Sequence, residues 1–310
     1  MKRGLVLVVW AVLVGTSAIA GETIQRGPAP DWLPEAAPHR SNRPDSPMQP
    51  LRYEVVESHA RAFGDHTETY VHMRLKVLSP LGLQQASRLS LEWNPAFQTP
   101  TVHHARIVRA GETTDILEKT DFTILRREAG LEKSQQITGI LTGVLINPDI
   151  RVGDTIDFAY SLRTQFDVFG NPLEAVGYSR SALPVDLGVT TLSWPSSMAV
   201  QTRVGRHAEL PPILQKDDFK VLTYRMTDTN GDAYPINIAP RSLPDYGWQV
   251  SSIPQWGAIA DHVRPAFDQA ERLPDAPDLA ASLERIKSEN PTPEDRKSTR
   301  LNSSHANISY

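Results

Sequence analysis

Apolar and polar side chains alternate with a period of two through most of this chain, and that period limits what it can fold into. The clearest case is Thr155 to Arg163, where Ile156, Phe158, Tyr160 and Leu162 share one face and Asp157, Ala159, Ser161 and Arg163 the other. A period of two belongs to a half-buried strand and not to a helix. Gly153-Asp154 just before it is a turn signal. The same alternation recurs in Val71, Met73, Leu75 and Val77 against His72, Arg74 and Lys76, so that Tyr53–Ala60 and 71–77 read as a hairpin turning at Gly64-Asp65. Leu89, Leu91 and Trp93, then Ala105 and Ile107, then Phe122 and Ile124, and the apolar run Ile140–Ile146 continue the pattern. After Gly170-Asn171-Pro172, the segments 175–183, 189–194, 198–204 and 222–226 read as further short strands. Many short strands separated by Gly and Pro turns predict a mainly β chain, an antiparallel β-sandwich over residues 51–245, with room for two sub-sandwiches divided near residue 183.

The character changes near residue 250. Trp256, Ile259, Val263 and Phe267 stand three to four apart, the helical period, with Pro265 inside the run to kink or shorten it. Leu279, Leu283 and Ile286 give a second amphipathic segment that Asn290-Pro291 ends. Thr292-Pro293-Glu294-Asp295 has the form of another helix start: a capping Thr, Pro at the first position and acids in the first turn. No periodic body follows. Residues 297–310 are Ser- and Asn-rich and resemble a translated sequencing-adapter tail, so they are set aside as non-native.

At the other end, Lys2-Arg3, the apolar run Leu5–Val14 and Ala18-Ile19-Ala20 make a signal peptide over residues 1–20 with cleavage before Gly21. The run is short of the roughly 20 residues a membrane span needs, and secretion across an inner membrane into a periplasm is the expected route, with no transmembrane span left after cleavage. Seven prolines between Pro28 and Pro50 make 21–50 a linker, on which Trp32 and Leu33 are candidates to dock.

Composition excludes several chemistries. With no cysteine the chain forms no disulfide, no thiolate metal site and no thiol nucleophile. A net charge of -4 without a basic stripe gives no footprint for nucleic acid. There is no Gly-rich phosphate loop, and Ser181, Ser251 and Ser252 lack a nucleophile elbow. His103 and His104 on a regular strand point to opposite faces and would not share a metal. His72 shares its face with Arg74 and Lys76, and reads as part of a solvated basic face. His59 and His66 could approach across the hairpin, but nothing completes a ligand set. Asp149 and Asp154 read as turn residues and Asp157 as outward-facing, which leaves no carboxylate pair set across a cleft. Trp248, Trp256, Tyr234 and Tyr246 form an aromatic-rich stretch, read as packing between the strand and helix regions or as a surface for peptide or glycan. Sequence reasoning therefore assigns no catalytic, cofactor-binding or metal residue and no cofactor.

Several segments, in order, resemble a bacterial envelope family: Leu91-Glu92-Trp93-Asn94-Pro95 with Phe97-Gln98, Arg151-Val152-Gly153-Asp154 with its strand, Asp167-Val168-Phe169-Gly170, and Val250-Ser251-Ser252-Ile253-Pro254-Gln255-Trp256 leading to Pro265-Ala266-Phe267. This set is similar to the domain of unknown function 3857, a β-sandwich that precedes a transglutaminase-like core, and the resemblance covers about residues 51–296. It implies that 246–296 is a helical junction and the start of a truncated α+β core of papain-like Cys-His-Asp type. In such a core a thiolate attacks an amide carbonyl, a His moves protons and an Asp orients the His. None of those residues maps onto this chain. The resemblance therefore implies a non-catalytic scaffold or binding region whose first partner is its own missing core. The other reading is a stand-alone envelope sandwich that binds protein, peptide or glycan.

Overall fold

The structure is a computed structural model that describes residues 21–35, 39–46, 48–126, 138–147, 149–165, 172–181, 183–231, 246–270, 277–289 and 292. Two compact units divide the chain, Met1–Pro254 and Gln255–Tyr310. The strands are β1 (Gln25–Arg26), β2 (Leu51–Ala62), β3 (Thr67–Val77), β4 (Arg88–Trp93), β5 (Gln98–Arg109), β6 (Glu112–Asp115), β7 (Thr123–Leu125), β8 (Leu141–Ile146), β9 (Thr155–Thr164), β10 (Glu174–Tyr178), β11 (Val185–Pro195), β12 (Gln201–Val204), β13 (Ile213–Lys216), β14 (Phe219–Thr227) and β15 (Gly247–Ser251). The helices are α1 (Pro80–Ala86), α2 (Trp256–Ala270) and α3 (Pro277–Glu289). The fold is mainly β, as the period of two requires.

One long sheet runs in the order β1-β5-β9-β3-β2-β11-β14-β13, with β6 joined to β5, and two three-stranded sheets, β4-β8-β7 and β10-β15-β12, accompany it. Among the described strands the pairings are antiparallel except that β1 runs parallel to β5 and β2 parallel to β11. The hairpins follow from local chemistry. At the β5–β6 turn, Ala110 and Gly111 both hold positive φ (51° and 88°), the conformation that suits the twist of a tight hairpin.

Residues directly opposed on neighbouring strands share a face. Leu192, Ala60, Thr69 and Leu162 are opposed in succession across β11, β2, β3 and β9. That row defines the apolar face of the long sheet, and two clusters pack on it. In the first, Leu89, Leu91, Trp93, Leu141 and Leu145 from the β4-β8-β7 sheet meet Ile156, Phe158, Val102 and Ile107. In the second, Trp248 and Val250 of β15 meet Leu192, Trp194 and Leu222. Each small sheet thus covers part of one face, sandwich-fashion, and the opposite face of the long sheet is left to its polar side chains.

The proline-rich stretch before β2 is held on this unit by specific bonds. The Trp93 indole N–H donates to the Gly21 carbonyl at 2.6 Å. The Trp32 indole N–H donates to Glu68 at 2.7 Å, and the Trp32 ring lies edge-on to Phe63. Arg43 donates to the Thr229 carbonyl, and Asp45 accepts from Lys76 and Arg52.

In the second unit, α2 continues through Pro265 for 15 residues instead of stopping there, and Trp256 is 84% exposed. Among the described residues no helix is long and apolar enough to cross a membrane. Tyr234, Asp167–Gly170, Glu294, Asp295 and the tail from 297 lie outside the described residues.

Candidate functional site: a histidine–carboxylate cluster on the far face of the long sheet

Four adjacent strands, β2, β3, β9 and β5, bring their polar alternates to one place. On β9 the polar series is Asp157, Ala159, Ser161. Ala159 stands opposite His72 of β3 on one side and His104 of β5 on the other. Its small side chain leaves space above the sheet, and both imidazoles lean across that space to Asp157. His72 Nε2 lies 2.8 Å and His104 Nε2 2.9 Å from the same oxygen, Asp157 Oδ1. The other oxygen, Oδ2, accepts from Arg74 Nη1 at 2.9 Å. On the far side of His72, Nδ1 is 2.9 Å from Glu57 Oε2, its register partner on β2.

Two readings made from the sequence change here. His103 and His104 do not point to opposite faces. The register of β5 against β9 shifts between Val102 and His104, and a bulge adds one residue to the strand and breaks strict alternation. As a result His103 Nε2 reaches Ser161 Oγ at 2.7 Å while His104 reaches Asp157, two positions on the same face of β9. Nor is His72 part of a solvated basic face. It is enclosed by two carboxylates, with only 17% of its side chain exposed. Asp157 does face away from the apolar core, but it is 14% exposed and fully engaged.

The electrostatics follow from this packing. Burial alone would push the His72 imidazole down, but the bonds to Asp157 and Glu57 outweigh it and carry its pKa up to about 9. Burial would raise the Asp157 carboxyl, and the hydrogen bonds from His104 and His72 overcome that and hold it far below the usual carboxylate range. The hydrogen bond from His72 lowers Glu57 against its own burial. Around this core the rings continue: His59 stacks on Tyr70 with centroids 6.0 Å apart, Tyr70 on His103 at 5.5 Å, and His72 meets His104 edge-on at 5.6 Å. Burial lowers the pKa of both His59 and His103. Burial, followed by the charges of Glu57 and Asp157, raises the Tyr70 hydroxyl to about 12. His66 goes elsewhere, stacking on Phe63 and pairing with Asp65.

The other two acids of the sequence reading are structural. Asp154 is buried, accepts from the Arg151 backbone N–H at 2.8 Å and takes a two-point bond from Arg109. The bond from Arg109 holds its carboxyl low. The Asp149 carbonyl accepts from the same guanidinium. Asp149, Arg109 and Arg151 help to line an open cavity of about 480 Å³ beside the β5–β6 hairpin, together with Ile107, Ile116, Lys119 and Asn147 among others. Asn147 is buried there, and among the described residues its Nδ2 has no partner. Of the aromatic stretch, Trp248 is a core residue, while Tyr246 takes the Arg180 guanidinium over its ring.

Comparison with known proteins agrees with this architecture. Residues 65–231, more than half of the chain, match the family model described as a domain of unknown function with solved structure, DUF3857. The chain belongs to the DUF3857 family. The match spans the hairpin β2–β3 from its turn onward, the cluster strands β5 and β9, and the chain through β14. Among solved structures, a provisionally assigned protease from Parabacteroides distasonis superposes with a TM-score of 0.59 at 14% identity, covering 70% of this chain and 43% of its own. An M1 zinc metallopeptidase from Deinococcus radiodurans aligns at a TM-score of 0.32 and 13% identity, over 66% of this chain and 42% of its own. This DUF3857 chain therefore spans less than half the length of the structures it matches. Comparison with curated proteins finds no match.

Proposed function

We propose that this DUF3857 chain is the non-catalytic N-terminal scaffold and binding region of a larger secreted protein, whose chemistry resides in a transglutaminase-like core beyond it. The observation that carries the reading is the family match over a mainly β unit in a chain without cysteine. A papain-like core needs a thiolate, and this chain has none to offer. The provisionally assigned protease with a similar fold is more than twice as long as the region matched to it, which fits a sandwich placed beside a separate core. The signal-type N-terminus supports a periplasmic location in this reading. Long-read sequencing of the locus tests it: the frame beyond the Asp295 codon is expected to encode a Gly-Asp-Cys-type nucleophile segment in place of residues 297–310. A stop codon directly after Tyr310 overturns it.

A second reading, a stand-alone envelope module for peptide or glycan, is favoured by the cavity beside β6. Its floor is apolar at Ile107 and Ile116, and the Asn147 amide is a buried donor without an acceptor among the described residues. Pull-down of the purified chain on peptidoglycan and on envelope proteins, compared with an Asn147→Ala variant, tests it. Binding unaffected by the variant, or no binding, removes this reading.

A further inference from the structure

We propose that His72, His104 and Asp157 form a binding site for one divalent transition-metal ion, a site on the sandwich itself and independent of any catalytic core. One ligand atom from each residue can be chosen so that all three lie within 4.8 Å of one another. Two imidazole nitrogens and one carboxylate oxygen are a donor set that suits zinc and its first-row neighbours. Both Nε2 atoms already point at a single oxygen, at 2.8 and 2.9 Å. Ligands bound at about 2.0–2.2 Å around a tetrahedral zinc stand about 3.3 Å apart, so the two N···O separations have to widen by about half an ångström to admit an ion.

The surrounding bonds prepare the ligands. Glu57 engages His72 Nδ1, leaving Nε2 for the ion, the carboxylate–histidine arrangement that fixes the ring and its tautomer at metal sites. Arg74 engages Asp157 Oδ2 and leaves Oδ1 to serve as a single-point ligand. The three ligands sit on three neighbouring strands of the longest sheet, so rigid elements hold them rather than loops. The ion takes the place of the protons that the His72 and His104 Nε2 atoms direct at Asp157, which leave to solvent on binding. The side chains of His72, His104 and Asp157 keep 14 to 17% exposure. Three protein ligands leave a coordination place for water, as in open zinc sites and unlike closed four-ligand ones.

The test is calorimetric titration of Zn2+ into the full chain after chelator treatment and dialysis, with Co2+ absorption as a second readout. The wild-type chain is expected to take up one equivalent and to unfold at a higher temperature when loaded. His104→Ala is expected to weaken binding more than about 100-fold, and Glu57→Gln, which leaves all three ligands in place, by about 10- to 100-fold. His39→Ala, a histidine paired with Asp228 away from the cluster, is expected to leave affinity unchanged. No saturable uptake by the wild type, or undiminished uptake by folded His104→Ala, overturns the proposal. If the variants do not fold, anomalous diffraction from Zn2+-loaded wild-type crystals decides it. A peak between the His72 and His104 rings upholds the site, and a peak only at other histidines overturns it.

Discussion

His72 and Asp157 are bonded across β3 and β9 although they are not register partners. His72 stands opposite Ala159, and Asp157 opposite Arg74, yet His72 Nε2 and Asp157 Oδ1 are 2.8 Å apart. The diagonal contact exists because Ala159 offers no bulk under the ring. Asp157 thereby becomes the acceptor for three donors on two strands, namely His72, Arg74 and His104.

Removing that acceptor leaves three donors facing one another in a half-buried place. Asp157→Ala is therefore expected to lower unfolding free energy by about 2–3 kcal/mol, and His104→Ala, which takes away one donor, by about 1 kcal/mol. The double variant is expected to lose less than the sum, since the two groups share a bond. Urea titrations in chelator-containing buffer measure all three without any contribution from metal, and strict additivity would contradict the shared bond.

Asp154 sets an acid limit to stability. Arg109 holds its folded pKa below the ordinary 3.8. As pH falls, the unfolded chain therefore binds the proton first, so this contribution is complete above about 3.8 and drains away below it. Asp154→Asn is expected to melt at a lower temperature than wild type at pH 7, with the gap closing as pH drops from 4 toward 2. A gap that stays constant across that range would show that the carboxylate charge is not what Arg109 holds.

Much of the sandwich could be read from the sequence because strands that bury one face write a period of two. The row Ile156, Phe158, Tyr160, Leu162 lies on the core cluster as the alternation requires. The short helix α1 is set by local chemistry: the Ser79 side chain accepts from Gly82 N as an N-cap and Pro80 takes the first turn. Strands β1, β6 and β13 were not legible, since their two to four residues are nearly all exposed and carry no alternation. The candidate site was hidden for a different reason. His72, His104 and Asp157 stand on three strands, and their meeting depends on sheet order and on a bulge at His103, neither of which a period of two encodes. Only the hairpin half, Glu57 opposite His72, could have been found, by sliding β2 against β3 from the Gly64 turn.

Gly177 is fixed by its neighbour. It stands opposite Trp248, and a Cβ built on it would lie 2.0 Å from the indole ring. Trp248 is buried at the centre of the second cluster and cannot swing away without opening it. Gly177→Ala is expected to destabilise the chain by about 1–3 kcal/mol through overpacking. Thermal unfolding followed by tryptophan fluorescence checks this, and an unchanged midpoint would mean the β10–β15 pair shifts freely.

Trp93 and Trp194 are both buried to about 1% exposure, one in each cluster, but their N–H groups differ. Trp93 donates to the Gly21 carbonyl at 2.6 Å, whereas the Trp194 N–H has no partner among the described residues. Replacing either by Phe removes similar apolar area, so the cavity cost is shared. The Trp93 change also strands a buried carbonyl acceptor, while the Trp194 change relieves an unmet donor. Trp93→Phe is therefore expected to cost about 1 kcal/mol more than Trp194→Phe in denaturant unfolding. Because the extra loss is the bond to Gly21, it should disappear in a chain lacking residues 1–35, from which Gly21 and β1 are gone. If the difference persists in that shortened chain, the bond to Gly21 is not its source and packing around Trp93 is.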